Sequence, residues 1–151
     1  MQRLSWIISS SIAIFGVMLI QYFYQFTSDT GNLGVVGIAI VLPFVLLCLF
    51  ITSRYFYSAS KAMNDKLMLI FYNIFGIVMV VALIYFAMDY RNDVFQTLGG
   101  GTANPNSKIY GEFWLNSETS NVYFNFYTIV ATITITAVIS SFSSFWIKEN
   151  K

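Results

Sequence analysis

Four stretches of this chain, residues 4–24, 34–52, 67–88 and 122–147, contain no Asp, Glu, Lys, Arg or His, and apolar side chains fill most of each. A bilayer core of about 30 Å takes about 20 helical residues, because each adds ~1.5 Å and lipid offers no partner to a free backbone amide. Each stretch is long enough to span. The pattern therefore predicts an all-α integral membrane protein: a single membrane domain over residues 1–151, built as an antiparallel bundle of four transmembrane helices. Both termini are expected inside, with a short irregular external segment, residues 89–121, between the third and fourth helices.

The connections are read from their turn chemistry. Ser28, Asp29, Thr30, Gly31 and Asn32 crowd the first external loop with side chains that bond their own backbone, which predicts a tight hairpin of the first two helices. Residues 53–66 are expected as a cytoplasmic loop too small for a catalytic domain. Tyr55, Phe56 and Tyr57 would lie in its headgroup layer, and Asn64 or Asp65 would cap the third helix. In the external segment, Gly99, Gly100 and Gly101 followed by Pro105 predict an irregular or mobile turn. An aromatic run from Ile109 to Leu115 then reads as a short strand or an interfacial segment, and residues 116–121 offer caps for the fourth helix. Asp89 and Asp93 would sit unfavourably at a helix C-terminus, which hints that the third helix stops near Met88.

Composition reinforces the membrane reading, with 57% hydrophobic, 19% aromatic and only 10% charged residues. Charged residues make up about a quarter of an average soluble domain. A net charge of +1 gives no grip on nucleic acid, so the partners expected are the lipid bilayer and a membrane or extracytoplasmic protein, or a second copy of the chain. The basic residues set topology instead. With the N-terminus inside, Arg3, Arg54, Lys61, Lys66, Lys148 and Lys151 are cytoplasmic, and only Arg91 and Lys108 are outside. The first apolar stretch is longer than a signal-peptide core of about 7–15 residues and lacks small residues for cleavage, so it reads as an uncleaved anchor. Brevity and the lack of an N-x-S/T acceptor point to a bacterial cytoplasmic membrane.

Within the spans, Thr128, Thr132, Thr136, Ser140 and Ser144 recur every four residues, and Ser5, Ser9, Ala13 and Gly16 offer a small-residue edge on the first helix. Small residues let backbones approach in lipid, and a hydroxyl bond between helices contributes roughly 0.6 kcal/mol. The ladder is expected to face protein as a packing seam; its alternative is a polar route through an oligomer. Asn73 and Gly76 lie one turn apart, and the amide should point inward, toward another helix or a second subunit. Pro43 should kink the second helix, and Cys48 reads as a small core residue.

What is missing narrows the chemistry. Without His there is no Ser-His triad, His-ligated haem or H-E-x-x-H zinc site, and one Cys supports neither a disulfide framework nor a cycling thiol pair. No carboxylate lies within a span to serve an aspartyl protease or proton-coupled transport. No catalytic residue, metal site or cofactor is expected. The remaining reading is a non-enzymatic accessory, regulatory or immunity-type partner of another envelope protein, with Tyr110, Phe113 and Trp114 as aromatic anchors outside the membrane. The alternative is a small oligomeric channel or facilitator.

Overall fold

The computed structural model describes residues 2–26, 33–63, 65–111 and 120–149, and all regular structure among them is α-helical. The elements are α1 (Gln2–Phe26), α2 (Leu33–Ala62), α3 (Lys66–Thr97), the single turn α4 (Ser120–Tyr123) and α5 (Phe126–Glu149). Four of them are long and apolar enough to cross a membrane. Only 17% of the apolar window in each of α1, α2 and α3 is buried within the protein, against 33% in α5. In water so much outward-facing Leu, Ile and Phe would drive association, whereas acyl chains solvate it without loss.

Three helix boundaries differ from the sequence reading, each for a local reason. α2 does not end near Thr52 but continues to Ala62, so the expected loop shrinks to a break around Met63 and Asp65. Residues 53–62 contain neither Gly nor Pro, and their rings have something to pack on: Tyr55 stacks on Trp6 of α1 at 5.2 Å, and Phe56 meets Trp6 edge-on at 5.4 Å. Asp65 caps α3, its carboxylate accepting from Leu67 N at 2.9 Å and Met68 N at 3.5 Å; Asn64 lies outside the described residues. α3 then passes through Asp89 and Asp93 and ends at Thr97.

The stop signal is glycine rather than charge. Gly100 N donates to Phe95 O at 2.8 Å and Gly99 N to Gln96 O at 3.1 Å, with Gly99 at φ 80°. This is the Schellman ending, in which the residue after the cap turns left-handed to satisfy the last carbonyls. At the start of α5 the cap is Asn125 rather than a residue of 116–121. Thr128 N donates to Asn125 Oδ1 at 3.0 Å while Asn125 N donates to Thr128 Oγ1 at 3.1 Å, so two orphan amides are satisfied reciprocally. Pro43 sits within α2 and removes the amide that would have reached the carbonyl of Ala39.

α2 packs against both α1 and α5, and α3 rests on α5, so α5 stands between α2 and α3. The inward positions of α1 are Trp6, Ser10, Ala13, Val17 and Ile20; those of α3 are Leu69, Asn73, Gly76, Val80 and Leu83. Steps of four and three alternate in each, which is the seam of helices that wind shallowly about one another. Trp6 Nε1 donates to Thr52 Oγ1 at 3.1 Å, Ser10 Oγ lies 3.6 Å from Cys48 Sγ, and a Cβ on Gly16 would stand 3.2 Å from the Val41 methyls. Ala13, Val17, Val45, Cys48, Ile129 and Ile133 form the core that these contacts enclose.

Candidate functional site

Beyond the last turn of α3 the chain folds into a compact loop, residues 98–111, held by its own side chains. Asn104 is the first clasp: its Nδ2 donates to Gly99 O at 3.0 Å and its Oδ1 accepts from Asn106 N at 3.1 Å. Ser107 is the second, donating to Gly100 O at 2.7 Å and accepting from Ile109 N at 3.2 Å. Lys108 N reaches Leu98 O at 3.0 Å and Gly111 N reaches Thr102 O at 3.0 Å, so the ends of the loop are tied together. Gly100, at φ 124°, leaves room for the clasp, since a Cβ there would lie 2.4 Å from Asn104 Nδ2. The turn expected as irregular or mobile is thus an irregular loop closed on its own backbone.

The two residues at its end divide by role. Ile109 is fully buried and pins the loop, whereas the next residue, Tyr110, is 58% exposed. On the last turns of α3, Arg91 lies over the Phe95 ring at 5.1 Å, and Lys108, two residues before the tyrosine, is exposed. α3 is 32 residues long, about 48 Å at 1.5 Å per residue, and so outreaches a 30 Å bilayer core by several turns. Phe113 and Trp114, the other expected anchors, lie outside the described residues.

The expected packing residues separate in the structure. Ser140 is buried and meets Ser53 of α2, their hydroxyls 2.9 Å apart. Thr132 is exposed and donates to Thr128 O on its own helix at 2.7 Å, and Thr136, half-buried, donates to Thr132 O at 2.8 Å. Thr128 serves the α5 cap. Asn73 and Gly76 both lie on the seam toward α5, where a Cβ on Gly76 would stand 2.5 Å from Val138 Cγ2. Asn73 Nδ2 donates to Leu69 O at 2.9 Å, but its buried Oδ1 has no partner. Leaving such an acceptor unpaired costs about 1–3 kcal/mol.

Sequence reasoning missed Asn104, Ser107 and Ile109 as the parts that build the loop. The signal available was the spacing of Asx and Ser residues behind a glycine run, each able to close a turn on its own backbone. Fold and site together define a helical protein with four candidate membrane spans and a clasped loop at the end of the third. No protein-family model, curated protein or solved structure matches the chain.

Proposed function

We propose that this is a non-enzymatic, multi-pass protein of the bacterial cytoplasmic membrane, acting as an accessory, regulatory or immunity-type subunit that recognises another envelope protein through the loop at residues 98–111. The helices form an antiparallel bundle with both termini in the cytoplasm and the loop outside. Contact pairs support the antiparallel order: Trp6 with Thr52 and Gly16 with Val41, then Gly76 with Val138 and Phe86 with Tyr127. The six-to-two distribution of basic residues supports the orientation.

The observation that carries the functional reading is the pairing of a buried Ile109 with an exposed Tyr110 on a clasped loop. Ordering is already complete before a partner arrives, so an aromatic anchor there binds without the entropy cost of arranging its own backbone. Tyr110 is the first anchor, and Phe113 and Trp114 extend it. The channel alternative draws less support, because the hydroxyls of Thr128, Thr132 and Thr136 are engaged by their own helix.

Co-purification from native membranes after crosslinking tests the reading. Tyr110→Ala should insert normally yet lose its partner, since truncating such an anchor costs about 2 kcal/mol, roughly thirtyfold in affinity. Tyr85→Ala, on an exposed face of α3 below the loop, should retain it. Retention by both variants at wild-type levels would refute recognition through the loop.

A further inference from the structure

At the opposite end of α3 lies a second feature. Arg3 and Trp6 of α1 and the last turns of α2 form one wall, the first turns of α3 form the other, and α5 supplies the floor of a cavity of about 520 Å³. That volume falls within the range of about 300–1,000 Å³ typical of small-ligand sites, which are mostly apolar with a few placed polar groups. Trp6, Tyr55, Phe56, Tyr72 and Phe75 give it an aromatic lining. Tyr72 and Phe75 are more than half exposed, so the cavity opens past their rings to whatever surrounds α3.

One polar group in this lining is unanswered. Asn73 is 5% exposed, and its orientation is fixed because only its NH₂ can donate to Leu69 O; the other amide atom is therefore an acceptor, buried and without a partner. The indole N–H of Trp6 is already committed to Thr52 Oγ1. Arg3 brings a positive charge to the lining, and no carboxylate lines the cavity among the described residues. Phosphatidylcholine and similar lipids carry only acceptors and cannot serve Asn73.

We propose that the cavity binds a single-chain anionic amphipath with a hydrogen-bond donor, an amide N–H or a hydroxyl, where its head joins its chain. The chain lies among the aromatic rings, a small shift of the side chains covering Asn73 brings the donor to its Oδ1, and the anion meets Arg3. N-acyl amino acids and lysophospholipids share this chemistry. Selectivity follows from the orphaned acceptor: a ligand that brings a donor satisfies it, and one that cannot leaves it buried and unpaired.

The full-length protein with Trp6 as its single tryptophan (Trp114→Phe, Trp146→Phe), in phosphatidylcholine nanodiscs, provides the test. N-palmitoylglycine brominated on its chain should quench Trp6 saturably, at about tenfold lower concentration than its N-methyl counterpart, the margin of one well-made hydrogen bond. Asn73→Leu should equalise the two, and Arg3→Gln should weaken both several-fold while preserving their ratio. Ala59→Phe, which fills the cavity from α2, should abolish saturable quenching, and it decides the matter if Asn73→Leu fails to fold. Brominated lysophosphatidate separates the two sources: saturation by it alone assigns a lysophospholipid, and saturation by the acylglycine alone assigns an acyl amino acid. Equal saturable quenching by the N–H and N-methyl probes in the wild type, or quenching by every probe that rises linearly and survives Ala59→Phe, would overturn the proposal.

Discussion

Gly76 shows how much a single hydrogen can decide in a lipid-solvated protein. A Cβ there would approach Val138 Cγ2 to 2.5 Å, and α3 has α5 as its principal support, so the helix cannot relax by leaning on another neighbour. Gly76→Ala should lower detergent-state unfolding stability by about 1–3 kcal/mol, the usual range for overpacking. Adding Val138→Ala should restore most of that loss; if it does not, the close approach is not the cause. The hydroxyls of α5 make a complementary contrast. Thr132→Leu should change stability by less than about 0.5 kcal/mol, as an exposed site does, whereas Ser140→Leu should cost about 1–3 kcal/mol by forcing bulk against Ser53. Equal costs would mean that the outward face of α5 is covered in the membrane.

At the scale of elements, the clasped loop makes its own prediction. The amides of Lys108 and Gly111 are bonded across the loop, so both should exchange with solvent much more slowly than a mobile turn allows. Gly100→Ala forces a side chain into a positive φ and onto Asn104, and it should release that protection while leaving α3 intact. Fast exchange in the wild type would contradict the clasp. The spans themselves were legible because a charge-free run of the right length has one physical meaning in lipid. Helix ends were less so: the charge criterion reports bilayer thickness, while the hydrogen-bond ladder of α3 continues past Asp93 until glycine stops it. The hydroxyl ladder does not keep to one face, since a step of four residues overshoots a full turn by about 40°: Ser140 meets α2 while Thr132 is exposed. Within the candidate site, Tyr110 was legible as an aromatic in a polar segment. Ile109 was not, because burial inside an irregular loop leaves no periodicity to read.

For the whole molecule, two aromatic clusters stand at opposite ends of the bundle. Trp6, Tyr55 and Phe56 gather at one end, and Phe86, Tyr90 and Tyr127 at the other, where amphipathic rings are most at ease. Between them the helices present apolar side chains outward, and α3 runs on past the second cluster to the loop. Recognition through Tyr110 therefore stands or falls with the side on which the loop emerges. Single cysteines in a Cys48→Ala background decide it most directly, because Lys61 and Asn106 are both exposed and lie at opposite ends of the bundle. With an impermeant maleimide on intact cells, Asn106→Cys should label at once and Lys61→Cys only after permeabilisation; labelling of Lys61→Cys from outside, with Asn106→Cys protected, would contradict both the orientation and the external recognition that depends on it.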